Sequence, residues 1–258
     1  MEACFDIAEN IGLFDVQTGF GGAEPGNSMV ASEAELIAEM ARLGIGRALV
    51  REVPDTLLVD VPHSNEKLYA AHERWTALVP CPIVLPNTGA DLDSEAAQLD
   101  AAIQAGAGAV TIRPEHDHWS LAPWACEPLF RALEERRMPV LCMHDKVTFD
   151  ELAGLAERYP RIPFILAGIG YRTQRIVLPL LDAFPNVYLS LGSNMTIHLG
   201  VEQLVATVGP ERLLFGTGFP QVEAMCGITL LMYAEISSDA KALIGAGNLI
   251  RLLAAIRR

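Results

Sequence analysis

The sequence predicts a (β/α)8 barrel, a ring of eight parallel strands surrounded by helices. The chain has 258 residues, which is a usual length for a single barrel domain. Eight short apolar runs rich in Val, Ile and Leu alternate with longer amphipathic stretches, as expected for strands that are buried on both faces. Successive runs begin about 23 to 35 residues apart, which fits a repeated strand–helix unit. We therefore expect one domain over residues 1–258.

The elements follow one another in order along the chain. Ser32 and Glu35 form a capping box at the start of the first helical stretch, which ends at Gly44. Thr148 and Glu151 form a second capping box. The predicted strands are 12–17, 47–52, 78–86, 109–114, 139–144, 163–168, 186–191 and 212–217. The predicted helices are 31–44, 91–106, 123–137, 148–159, 171–183, 197–208, 223–235 and 238–255.

An open, doubly wound sheet is the alternative fold. That fold usually carries a GxGxxG turn between its first strand and a helix that follows at once. The glycine-rich stretch GFGGAEPG (19–26) has no such helix directly after it. The barrel is therefore the better interpretation.

Composition excludes several classes of function. The net charge of −13 and the pI of about 4.8 argue against binding to nucleic acid or to an anionic membrane surface. The five cysteines are widely spaced and form no paired framework, which favours reduced thiols and a cytoplasmic location. The N-terminal residues 1–10 lack the features of a signal peptide, and no apolar run is long enough to cross a membrane.

Polar residues follow the predicted strands, and in a barrel the carboxyl ends of the strands carry the active site. Such residues occur in any barrel, so they define a region and no chemistry by themselves. In chain order they are Gln17, Gly19, Arg51, Glu52, Asn87, Arg113, Glu115, His116, His118, His144, Asp145, Lys146, Gly168, Ser190, Asn194, Thr217 and Gly218.

Several motifs resemble one known family over nearly the whole chain. FDVQTGFGG (14–22) resembles an Asp-x-His-x-His-x-Gly opening, and MPVLCMHD (138–145) resembles a strand that ends in histidine. GPERLLFGTGFP (209–220) and LIGAGNLIRLL (243–253) resemble the closing strand and helix. These are motifs of the amidohydrolase-2 family, a branch of the amidohydrolase superfamily that includes metal-dependent hydrolases and decarboxylases. The resemblance implies a barrel with its site at the carboxyl ends of the strands.

The resemblance also shows where this sequence departs from the family. The metal-ligand positions correspond to Gln17, Gly19, His144, Gly168 and Gly218, of which only His144 is a good ligand. A catalytic zinc needs about three protein ligands, glycine has no side-chain donor, and a glutamine amide binds zinc poorly. We therefore expect no bound metal and no cofactor in a scaffold that has lost its metal site.

His144 is the leading candidate for catalysis. At the end of a strand it can act as a general acid or base, or as a hydrogen-bond donor to substrate. The alternative is a buried neutral imidazole that only fills space. Asp145 or Asp15 are candidates to orient His144. For Asp15 the alternative is a structural acceptor for nearby backbone or for Thr18.

Three cations at strand ends favour an anionic substrate. Arg51 and Arg113 can bind a carboxylate or a phosphate through two parallel hydrogen bonds, and Lys146 adds to the same field. The alternative is that the arginines pair with Glu115 or Glu52.

The segment PEHDHW (114–119) contains a possible displaced metal site. His116 and His118 have the spacing of metal ligands, and Glu115 and Asp117 add oxygens. The alternative is a solvated loop.

We hypothesise a metal-independent hydrolase or lyase that acts on a small, carboxylated compound. Two alternatives remain, a non-catalytic binding protein with a mouth enlarged by glycines and a metal enzyme with rearranged ligands. The apolar stretch GITLLMYA (227–234) predicts a homo-oligomer. The expected substrate contacts are Gln17, Gly19, Arg51, Arg113, His116, His118, Lys146, Gly168 and Gly218.

Overall fold

The computed structural model describes residues 11–21, 31–53, 60–192 and 198–258. The N-terminal segment 1–10, Asn194 and most of the stretch GFGGAEPG lie outside the described residues.

Within the described ranges, eight strands occupy the eight predicted positions. Most are shorter than predicted, and the clearest case is the third, where Pro80, Pro82 and Pro86 lack the N–H groups that a regular ladder needs. The strands are β1 (Leu13–Gly21), β2 (Ile45–Val53), β3 (Leu78–Pro80), β4 (Val110–Thr111), β5 (Val140–Met143), β6 (Phe164–Ala167), β7 (Val187–Leu191) and β8 (Leu213–Phe215).

The strands form a parallel barrel with two seams. β1, β2 and β3 make one ladder, and β4 to β8 make a second. A single parallel bridge between Ile83 and Thr111 joins the two ladders at one seam. At the other seam, Gly218 N donates to Gln17 O at 2.7 Å, and Gly19 N donates to Phe219 O at 3.2 Å. The prediction of a (β/α)8 barrel is confirmed.

Helices follow the strands around the barrel. Both predicted capping boxes are present, and Gly44 ends the first helix with φ +68°. The last predicted helix is interrupted by a π-helical turn at Leu243–Gly247. The helices are α1 (Glu33–Leu43), α2 (Val61–Arg74), α3 (Glu95–Gln104), α4 (Pro123–Arg136), α5 (Phe149–Arg158), α6 (Gln174–Ala183), α7 (Gly200–Val208), α8 (Ala224–Met232), α9 (Ser238–Ala242) and α10 (Asn248–Ala254).

Two apolar clusters form the core. The larger cluster joins the outer faces of the strands to the helices, with Leu36 of α1 and Leu152 of α5 as examples. The smaller cluster consists mainly of strand residues, including Leu49, Leu141 and Leu214. This second cluster supports the mouth at the carboxyl ends of the strands. Among the described helices, none has both the length and the apolarity needed to cross a membrane.

The stretch GITLLMYA packs inside the chain. Ile228, Leu231, Met232 and Ala234 are buried in the core, whereas Tyr233 is 65% exposed. The expectation that this stretch offers surplus apolar surface for association is therefore wrong. The helix is covered by its own barrel.

Candidate functional site

Gln17 lies between the carboxyl ends of several strands and is only 9% exposed. Its Oε1 accepts hydrogen bonds from Ser190 Oγ at 2.9 Å and from Gly168 N at 3.4 Å. The register of β1 against β2 shifts between Asp15 and Thr18, and such an irregularity redirects side chains. Strict alternation is therefore a poor guide to where Asp15 and Gln17 point.

The side-chain Nε2 of Gln17 donates to no described residue and is not one of the fully buried atoms that lack a partner. It lies 3.8 Å from the point where a Cβ would stand on Gly192 and 3.7 Å from the corresponding point on Gly218. The amide thus presents an N–H donor between the ends of β7 and β8.

Glycines surround this amide because side chains would collide there. A Cβ on Gly216 would lie 2.3 Å from Ser190 Oγ and 2.9 Å from Gln17 Cβ. A Cβ on Gly168 would lie 2.8 Å from Met143 Cε. The expectation that glycines simply enlarge the mouth is therefore incomplete, because neighbouring side chains occupy part of that space.

Two of these glycines also have a backbone conformation that disfavours side chains. Gly168 has φ +75° and Gly218 has φ +80°. An L-residue in this left-handed region is strained. Any side-chain ligand at either position would have to overcome this strain.

Asp15 connects β1 to the segment that follows β8. Its Oδ1 accepts hydrogen bonds from Gln17 N at 2.9 Å and from Thr217 N at 3.0 Å, and its Oδ2 accepts from Thr217 Oγ1. Burial raises the pKa of Asp15, while these hydrogen bonds and the Arg51 cation lower it. Thr18 is not the partner that the sequence suggested, because its hydroxyl donates to Phe219 O.

His144 is exposed at the end of β5, so the alternative of a buried imidazole is wrong. It lines a cavity of about 340 Å³ together with Trp119, Lys146 and Glu151. No described residue forms a hydrogen bond with its ring, whose Nδ1 lies 3.4 Å from the point where a Cβ would stand on Gly168. The expected link from Asp145 to His144 is absent among the described residues, since Asp145 pairs with Lys146 at 3.1 Å.

Arg113 forms a buried ion pair, as the alternative proposed, but its partner is Asp117 and not Glu115. Its Nε and Nη2 donate to the Asp117 carboxylate at 3.1 and 2.8 Å, and both side chains are less than 10% exposed. His116 Nδ1 also lies 3.1 Å from Asp117 Oδ1. His118 is exposed, with φ +55°. The charge of Arg113 is thus largely satisfied within the loop.

Arg51 and Gly19 face each other as partners in the β1–β2 ladder. Burial raises the pKa of Asp15 and of the Cys81 thiol, and the Arg51 cation partly offsets this rise at both groups. Glu52, the next residue, is buried and accepts a hydrogen bond from Lys67 at 2.7 Å. Arg51 is therefore the predicted cation whose field reaches the residues beside Gln17.

The amidohydrolase family model matches residues 59–253 of the chain. The chain belongs to the amidohydrolase family. Comparison with curated proteins finds no match.

Solved structures share the fold of this amidohydrolase at low sequence identity. A 2,6-dihydroxybenzoate decarboxylase complexed with 2,6-dihydroxybenzoate has a TM-score of 0.72 and 15% identity, with 94% of this chain and 98% of that chain covered. A 5-carboxyvanillate decarboxylase from Novosphingobium aromaticivorans, complexed with manganese and a nitrobenzoic acid, has a TM-score of 0.74 and 13% identity, with 95% and 97% covered. An uncharacterized TIM-barrel protein from Bordetella bronchiseptica has a TM-score of 0.68 and 19% identity, with 98% and 90% covered.

The described residues at the mouth of the barrel do not provide a donor set that fits a metal ion. Within the described ranges, no three His, Cys, Asp or Glu side chains come together in a way that could hold one. This applies to the loop with His116 and His118 as well as to the surroundings of His144. A catalytic metal needs several converging N, O or S donors.

Sequence reasoning missed two contacts of the site. It did not identify Ser190 as a hydrogen-bond partner of Gln17, or Asp117 as the partner of Arg113. The spacing of four residues between Arg113 and Asp117 was a usable signal, although the residues lie in a loop. The contact between Gln17 and Ser190 joins residues 173 positions apart and has no local signal.

Proposed function

We propose that this amidohydrolase acts on a small carboxylated compound at the carboxyl-terminal mouth of its barrel, as a hydrolase or lyase without a catalytic metal. The observation that carries the proposal is the donor set at the five positions that resemble the family's metal ligands. These positions hold one imidazole, one amide and three glycines, and a catalytic metal site requires about three protein ligands. The positive φ angles of Gly168 and Gly218 add to the argument.

In this proposal His144 transfers a proton or donates a hydrogen bond to the substrate. It is exposed to the cavity, and imidazole is the side chain most often used in general acid–base catalysis. Asp15 holds the exit of β8 in position through its three accepted hydrogen bonds. Asp15 is thus a positioning residue, and Asp145 contributes through its ion pair with Lys146.

A carboxylated substrate is supported by charge and by size. The cation Arg51 lies at the carboxyl end of β2, and Lys146 lines the cavity beside His144. The cavity volume of about 340 Å³ is within the range of small-molecule sites. Two structures with the same fold contain benzoic acids. We propose a small aromatic or acyl carboxylate on these grounds.

A non-catalytic binding protein is the second candidate function. The observation in its favour is the lack of any hydrogen bond between the His144 ring and the described residues. A catalytic base is usually oriented by a second group. Turnover of any carboxylate that depends on His144 would exclude this candidate.

The same proposal covers the setting in which the protein works. We propose a single domain that functions in the cytoplasm as a homo-oligomer. Four described cysteines are free thiols, as in reducing compartments. Trp124 on α4 is 83% exposed and is apolar surface that could contact a second copy.

The test is a screen of aromatic carboxylates and their esters for decarboxylation or hydrolysis, with and without a chelator. We expect at least one compound to be turned over at the same rate in both conditions, and His144→Asn to abolish this turnover. His63→Asn is the matched control, because His63 lies on α2 with its side chain 61% exposed. Full loss of activity with the chelator, restored by added metal, would contradict the proposal.

A further inference from the structure

We infer that the Gln17 side-chain amide binds the substrate carboxylate, so that an N–H donor occupies the place where the family holds a metal. This inference rests on the proposed function, since it assumes a carboxylated ligand at the mouth. Gln17 is thus a specificity-determining residue for anionic ligands.

The orientation of the amide follows from the N–H donor of Gly168, since the Ser190 hydroxyl could either donate or accept. Oε1 lies 3.4 Å from Gly168 N and 2.9 Å from Ser190 Oγ. A backbone N–H can only donate, so the atom that faces Gly168 must be the carbonyl oxygen. A flipped amide would place its own N–H group against the N–H group of Gly168, and the two donors would repel each other. Nε2 therefore points away from Gly168.

The Nε2 group has an unused hydrogen-bonding capacity in a site that is nearly closed. The side chain is 9% exposed, and no described residue accepts from Nε2. Polar groups at this depth are normally hydrogen-bonded. An oxygen acceptor from a ligand would supply the missing partner.

The glycines near Nε2 leave room for such a ligand. A Cβ on Gly192 or Gly218 would stand 3.8 or 3.7 Å from Nε2, so a side chain at either position would occupy the space beside the amide, and glycine permits close approach of a ligand to the backbone. Their own N–H groups are already used, because Gly192 N donates to Ser190 O at 3.0 Å and Gly218 N donates to Gln17 O at 2.7 Å. The Gln17 amide, rather than a cluster of backbone N–H groups, is therefore the donor at this point.

A carboxylate is the acceptor that the proposed substrate would bring to Nε2. Arg51 pairs in register with Gly19, two residues from Gln17. The Asp15 carboxylate is nearby, but it is buried and accepts three hydrogen bonds. A hydrogen bond to an ionised acceptor is stronger than one to a neutral acceptor.

The experiment is a titration of ¹⁵N-labelled protein with benzoate, followed through the side-chain amide signals in NMR spectra. The Gln17 signals are assigned by their loss in Gln17→Met. We expect these signals to shift with benzoate concentration. We also expect Gln17→Glu, which removes the donor and adds a negative charge, to weaken benzoate binding by about tenfold or more. Gln203→Glu, the same change on an exposed residue of α7, should alter the affinity less than about twofold.

The outcomes separate this inference from the proposed function. If benzoate binds and shifts the Gln17 signals, and Gln17→Glu weakens binding, the inference is supported. If benzoate binds without shifting the Gln17 signals, the inference is overturned while carboxylate binding stands. If neither benzoate nor 2,6-dihydroxybenzoate binds at millimolar concentration, both the inference and the proposed substrate class are overturned. If Gln17→Glu does not fold, the NMR titration of the unaltered protein, assigned through Gln17→Met, still decides.

Discussion

Replacing Asp15 by alanine should destabilise the barrel strongly, because Asp15 joins its first and last strands. Its carboxylate accepts from Gln17 N, Thr217 N and Thr217 Oγ1. In Asp15→Ala the two backbone N–H groups lose their partner in a buried place, at about 1–3 kcal/mol each. Burial raises the pKa of Asp15, so removal of the carboxylate also relieves a desolvation cost. We therefore expect a net loss of about 2–4 kcal/mol.

Thermal unfolding followed by circular dichroism measures this loss. For a chain of this size each kcal/mol lowers the melting temperature by about 2–4 °C, so Asp15→Ala should melt about 4–16 °C lower. Asp15→Asn is the matched control, because its amide oxygen can still accept from both N–H groups, and it should lose only about 1 kcal/mol. The reasoning is refuted if Asp15→Ala has the same melting temperature as the unaltered protein, or if Asp15→Ala and Asp15→Asn are equally destabilised.

The same residue predicts a dependence on pH. Because the pKa of Asp15 is raised above 3.8 in the folded state, folding favours its protonated form. The free energy of unfolding that Asp15 contributes through this preference is fully present below pH 3.8. It is lost as the pH rises through the pKa of Asp15 in the folded state. The difference in free energy of unfolding between the unaltered protein and Asp15→Asn should therefore shrink from acid to neutral pH. A constant advantage, or one that grows with pH, would contradict the direction of the shift.

Three further predictions follow from the packing. Asp117→Ala leaves the buried Arg113 cation unpaired, so urea denaturation should show a loss of about 3–5 kcal/mol; a loss below about 1 kcal/mol, typical of exposed pairs, would contradict the burial of this pair. Cys226→Ser should remove one thiol that reacts rapidly with Ellman's reagent in the native protein. Cys226 is exposed, whereas burial raises the pKa of the other described thiols. An unchanged number of rapidly reacting thiols would contradict this prediction. Gly216→Ala brings a Cβ to 2.3 Å from Ser190 Oγ and should cost about 1–3 kcal/mol, and equal melting temperatures would show that the site is less tightly packed.

The architecture could be predicted because its signals are local. The alternation of apolar runs and the capping boxes at Ser32 and Thr148 depend on neighbouring residues, and they gave the eight strands and most helices, although no predicted helix covers α2 (Val61–Arg74). Strand lengths were overestimated where prolines interrupt the ladder, as at Pro82. Local signals thus define which elements exist better than where they end.

The candidate site was predictable only in part. The position of His144 at a strand end follows from the order of elements, but its exposure and its lack of contact with Asp145 do not. The role of Gln17 depends on a register shift in β1 and on Ser190, which is distant in sequence. Contacts between strands are set by three-dimensional packing, so no pattern in the sequence specifies them.

The metal content of the purified protein tests the central claim most directly. The protein is incubated with zinc or manganese, passed through gel filtration, and analysed by inductively coupled plasma mass spectrometry beside His144→Asn. Because the described donors do not converge on a metal site, we predict far less than one metal ion per chain, with no difference between the two proteins. One tightly bound ion per chain that is lost in His144→Asn would contradict the proposal and establish a metal-dependent amidohydrolase.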